Sequence, residues 1–93
     1  MITMSSSVRT APDVLFRELG GEAVLLNLKT GEYFGLDEVG LRMWTRLTGC
    51  GRVEAAYREL REEYDVAEDE LRRDLLALAE RLAAHGLVDV TDA

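Results

Sequence analysis

Ninety-three residues make one domain, with no room for a second core. Hydrophobic residues at 47% and charged residues at 31% are ordinary for a globular chain and exclude disorder along most of its length. The formal charge of −7 is concentrated in residues 51–93, where twelve Asp or Glu face six Arg, so that half lacks the basic footprint a phosphate backbone needs and favours a basic or neutral partner over nucleic acid.

The N-terminus, Met1-Ile2-Thr3-Met4-Ser5-Ser6-Ser7, lacks the charged and apolar regions of a signal peptide. Residues 1–12 are expected to form a flexible tail, with Met4 an alternative start, and residues 13–91 the domain. No apolar run approaches the about 18 residues of a membrane span, so no membrane partner is expected. The single cysteine, Cys50, fits a reducing cytoplasm.

Val14–Leu19 reads as a first strand, closed by the turn signal Gly20-Gly21. Glu22–Leu28 reads as a second strand. Lys29-Thr30-Gly31 then reverses the chain, Gly31 suiting the left-handed position of a three-residue hairpin loop, and Glu32–Leu36 returns as a third strand. Short connections favour a three-stranded antiparallel meander.

Asp37 changes the period from two to 3.6 and is a good N-cap. Val39, Met43, Trp44 and Leu47 follow at helical spacing up to Thr48-Gly49-Cys50-Gly51. Val53, Ala56, Tyr57, Leu60 and Tyr64 mark a second helix over about residues 52–64. A third runs from about Ala67 to His85; Glu68, Asp69 and Glu70 suit its N-terminal dipole, and Gly86 suits its C-terminal cap. Leu87–Val90 pairs briefly with the sheet or packs against it. The expected class is α+β, a three-stranded antiparallel sheet followed by three helices.

Two features point to binding. On the third helix, with Leu71 at 0°, Leu75, Leu78 and Leu82 fall within ~40° of it, whereas Leu76 falls at ~140°. One shoulder then carries Leu76, Ala79 and Ala83, flanked by Asp69 and Arg72, with Arg73 and Glu80 just beyond; the other carries Glu70, Asp74 and Arg81 and reads as solvated. The extra apolar shoulder is either a partner surface or a wider core contact. Second, the third strand, Glu32-Tyr33-Phe34-Gly35-Leu36, ends the meander and so forms its edge, with only Glu32 charged. An extended peptide can add to such an edge; alternatively Tyr33 and Phe34 are core aromatics and Val88-Asp89-Val90 covers the edge.

The remaining candidates read as structure. Trp44 packs between helix and sheet. His85 is a lone histidine at a helix end, without the partners that a metal or catalytic role requires. Cys50 has no base at a defined spacing. No phosphate loop is present. No cofactor, metal or catalytic residue is expected, and the chain is not read as an enzyme.

The run Gly-Glu-Tyr-Phe-Gly-Leu-Asp-Glu-Val-Gly-Leu-Arg-Met-Trp over residues 31–44, after three strands and before further helices, resembles the PqqD-like family. Leu25–Tyr33 resembles its hairpin and Leu60–Val66 the end of its second helix, and the likeness covers about residues 13–91. Ala67 departs from the Ser or Thr cap usual there. The resemblance implies a winged-helix-like domain, a RiPP recognition element, which binds the leader of a ribosomally made precursor peptide as an added strand in a groove closed by the third helix. It further implies the stand-alone leader-binding protein of lasso-peptide pathways, which presents the precursor to a leader peptidase or other maturation enzyme. Peptide-binding residues would then be Glu32, Tyr33, Phe34, Gly35, Leu36, Asp69, Arg72, Arg73, Leu76, Ala79 and Ala83, and Leu76→Asp is expected to weaken binding without unfolding the domain. The competing readings are a structural subunit that docks an enzyme and a winged-helix DNA-binding regulator; the acidic start of the third helix weighs against the regulator.

Overall fold

The computed structural model describes residues 2–91. Its elements are β1 (Ser7–Thr10), β2 (Val14–Leu19), β3 (Glu22–Asn27), β4 (Glu32–Leu36), α1 (Glu38–Cys50), α2 (Val53–Glu63), α3 (Glu68–Ala84) and β5 (Val88–Thr91). β2, β3 and β4 form the expected antiparallel meander. The Gly31 amide donates to the Asn27 carbonyl at 2.7 Å, and Gly31 takes φ of 76°, a conformation cheap only for glycine.

The register assigns the two faces of the meander. Phe16, Leu25 and Phe34 share one face, and Leu15, Leu26 and Tyr33 the other. The first face packs on the helices: Leu25 is fully buried, and the Phe16 ring stacks on Trp44 of α1 at 6.2 Å. Leu47, Leu60, Leu75 and Leu82 fill the space beneath it. Burying each contributes about 1.5–3 kcal/mol.

Asp37 caps α1 as expected, its Oδ1 accepting the Gly40 amide at 2.7 Å. The arginines of α1 tie it to α2: Arg42 Nη1 lies 2.8 Å from Glu63 Oε1, and Arg46 Nη2 lies 2.6 Å from Glu63 Oε2. Neither Arg52 nor Ala67 provides a side-chain cap to the helix it precedes.

The N-terminal segment departs from the expected flexible tail. Ser7–Thr10 pairs antiparallel with Val88–Thr91, making a second, two-stranded sheet, and Val8 is buried. The physical reason lies at the start of α2, whose first amides need acceptors. Val53 donates to the Ser6 carbonyl at 3.1 Å and Glu54 to the Met4 carbonyl at 2.9 Å. The segment thus does the work of the missing cap. Met1 of the expected tail lies outside the described residues.

Candidate peptide-binding site

Because β5 pairs with β1, it does not cover β4. Among the described residues β4 pairs with β3 alone, so its outer edge is open. β2 is the opposite edge, but Arg17 and Glu18 lie within it, the kind of charge that blunts an edge. At Gly35 no atom lies within 4 Å of the point where a Cβ would sit, which leaves open space on the outer sheet face there.

β4 packs on β3 and α1, whereas α3 packs on α1, α2 and β5. A cleft remains between β4 and α3. It contains a hollow of about 220 Å³ walled by Phe34, Gly35, Leu36, Leu78 and Arg81. A neighbouring hollow of about 210 Å³ is walled by Val39, Met43, Asp74, Ala77, Leu78 and Arg81. Asp37 and Gly40 border both. Phe34, Leu36, Met43 and Leu78 give the cleft apolar walls, and Asp37, Asp74 and Arg81 give it polar surface in comparable measure. Beyond Phe34, the His85 ring lies 5.3 Å from the Phe34 ring, and His85 Nδ1 lies 4.0 Å from Glu32 Oε1. β4 and α3 thus run in opposite directions along the cleft, Glu32 beside His85 and Asp37 beside Asp74.

Asn27 sets the position of this end of α3. It is buried; its Nδ2 donates to the His85 carbonyl at 2.8 Å, while its Oδ1 accepts the Lys29 amide at 2.9 Å and the Thr30 amide at 3.3 Å. One side chain ties the β3–β4 hairpin to the last turn of α3. Gly86 completes the junction at φ of 69°; a Cβ there would stand 2.9 Å from Asn27 Nδ2.

The structure brings only some of the expected site residues together. Glu32, Phe34, Gly35 and Leu36 border the cleft or its end. Tyr33 does not: it projects from the outer sheet face and is 74% exposed. The shoulder bearing Leu76, Ala79 and Ala83 does not face β4 either, because Leu76 lies ~160° around the helix from Leu78. Those three residues pack against the core, and Ala79 is fully buried. Arg72 lies over the Tyr57 ring of α2 at 5.7 Å, and Glu80 accepts the Ile2 amide at 3.3 Å. Asp69 and Arg73 are exposed away from the cleft. The α3 residues that do border the cleft are Asp74, Ala77, Leu78 and Arg81; Asp74 and Arg81 belong to the shoulder that reads from sequence as solvated, and Leu78 to the core stripe.

A larger hollow, about 420 Å³, lies on the outer sheet face between Arg17, Leu19, Val24 and Gly35. It borders no helix that could clamp a strand. Cys50 is remote from the cleft. Its thiol donates to Glu59 Oε2 at 2.9 Å; that hydrogen bond, then burial, holds the thiol pKa above its ordinary value and disfavours a nucleophilic thiolate. No helix is long and apolar enough to cross a membrane among the described residues.

Comparison with known proteins places this geometry in a family. No curated protein matches the chain. The solved structure "TbiB1 in Complex with the TbiA(beta) Leader Peptide" superposes with a TM-score of 0.81 at 36% sequence identity, over 87% of this chain and 94% of that one. The structure "Lasso peptide synthetase B1 complexed with the leader peptide" superposes with a TM-score of 0.79 at 25% identity, over 89% of this chain and 98% of that one. The family described as "Coenzyme PQQ synthesis protein D (PqqD)" matches residues 22–88. The chain belongs to the PqqD family.

Proposed function

We propose that this chain binds the leader segment of a ribosomally synthesised precursor peptide and presents it to a leader peptidase or other maturation enzyme of a lasso-peptide pathway. The leader adds as a strand to the outer edge of β4, and its cleft-facing side chains enter the hollows between β4 and α3. The observation that carries this reading is the open β4 edge beside a cleft walled by Phe34, Leu36 and Leu78, in a chain 36% identical to a protein solved with a leader peptide. Main-chain hydrogen bonds supply affinity and the hollows supply selectivity. The protein performs no bond chemistry in this role; it raises the effective concentration of the precursor at the enzyme. A recognition element of this kind acts in the cytoplasm, where precursor peptides are made.

Fluorescence anisotropy with a labelled TbiA(beta) leader peptide tests the site. Ala77 is exposed on the cleft wall, so Ala77→Glu keeps the fold and is expected to weaken binding roughly tenfold, or ~1.4 kcal/mol. Leu76→Asp, on the other shoulder, is expected to lower stability and to leave the affinity of the folded fraction unchanged. The opposite ranking would move the site to the Leu76 shoulder.

The outer sheet face favours a second role, docking of the enzyme. Leu19 is 79% and Leu15 53% exposed on the face that also carries Tyr33, and exposed apolar side chains gathered on one face mark protein contacts.

A further inference from the structure

Strand addition does not by itself fix where a peptide sits. Main-chain bonds to β4 are satisfied equally well when the added strand slips by two residues, about 7 Å, because the same side chains still face the cleft. Something in the cleft must make one register better than the next. Apolar walls discriminate weakly between aliphatic side chains. A charge discriminates more sharply, since a slip exchanges attraction for repulsion.

Arg81 is placed to do this. It borders both hollows of the cleft and is exposed. Every arginine within α1 and α2 is paired with a carboxylate, from among Glu54, Glu59, Glu63 and Glu68. Arg81, in a chain of charge −7, makes no ion pair or hydrogen bond through its side chain among the described residues. Carboxylates stand on both sides of it along the cleft, Asp37 and Asp74 toward one end and Glu32 toward the other. The cleft is thus a central cation flanked by anions.

We propose that Arg81 sets the register of the bound leader by taking one carboxylate side chain of the leader strand. This rests on the cleft being the leader site. The substrate class is an extended peptide with an Asp or Glu facing the cleft at its middle and neutral or basic residues beside it. A two-residue slip in either direction carries that carboxylate toward Asp37 and Asp74 or toward Glu32. The planar guanidinium suits a two-point hydrogen bond to a carboxylate, which a lysine would not reproduce.

The probe is the TbiA(beta) leader peptide, made as an Asp scan and a matching Lys scan, titrated against wild-type protein, Arg81→Gln and Arg81→Glu. One position is expected at which wild-type protein prefers Asp to Lys by about tenfold, the preference disappearing in Arg81→Gln and inverting in Arg81→Glu. Ala77→Glu separates the two levels of the argument. If Asp-to-Lys ratios at every position are the same in wild type and Arg81→Glu while Ala77→Glu weakens the whole panel, the register role is overturned and the cleft stands. If Ala77→Glu binds as wild type does, or the unmodified peptide does not bind wild-type protein, the cleft assignment falls and the register role falls with it.

Discussion

Asn27→Ala tests how the cleft is held open at a fixed width. The substitution removes three hydrogen bonds, at 2.8, 2.9 and 3.3 Å, from a side chain only 6% exposed. At about 0.5–1.5 kcal/mol each, with the longest contributing least, the expected loss is about 2–3 kcal/mol. A chain of this size unfolds with an entropy of about 0.2 kcal/mol/K, so the melting temperature should fall by about 10–15 °C. Circular dichroism melts and urea titrations read this directly. Asn27→Asp refines the test: it keeps the acceptor for the Lys29 and Thr30 amides but sets a carboxylate oxygen against the His85 carbonyl, so it too should destabilise. An Asn27→Ala protein melting within about 3 °C of wild type would refute the claim that this side chain ties the hairpin to α3.

Two further outcomes follow from contacts outside the cleft. Deleting residues 2–8 removes the burial of Val8 and the acceptors for the Val53 and Glu54 amides, and should cost at least about 3 kcal/mol in urea unfolding, whereas a chain starting at Met4 should lose much less; equal midpoints would contradict the capping role of the segment. Cys50 should react with iodoacetamide faster in Glu59→Gln than in wild type at pH 8, because removing the carboxylate that accepts its proton lowers the thiol pKa and raises the thiolate fraction. In the wild type the folded thiol holds its proton more tightly than the unfolded one. That contact therefore stabilises the fold fully below the ordinary thiol range of about 8–9, and the contribution is lost as the pH rises from that range through the raised folded value.

The meander and the three helices were legible because each carries a local signal. Gly20-Gly21 and Gly31 fix the turns, Asp37 announces α1, and the leucine stripe of α3 has a clean period. The β1–β5 pair carried none. Its two strands are four residues each and lie at opposite ends of the chain, so their pairing follows from the closed tertiary fold. The β4 half of the candidate site was legible as an edge charged only at Glu32. The α3 half was not: a helical wheel orders residues around an axis but cannot say which flank of the leucine stripe meets β4. Asp74 and Arg81 look solvated in sequence because their charges sit at the rim, while the apolar Leu76 shoulder is absorbed by the core. Asn27 reads from sequence as part of the second strand, and nothing local signals its bond to His85, fifty-eight residues away.

The most direct test of strand addition is amide hydrogen exchange read by NMR, with and without the TbiA(beta) leader peptide. Strand addition should slow exchange at those amides of β4 that point away from β3, with chemical-shift changes along Asp74–His85 of α3. Unchanged exchange throughout Glu32–Leu36 in a saturated complex would contradict the account, and shifts gathered instead on Leu15, Leu19 and Tyr33 would place the partner on the outer sheet face.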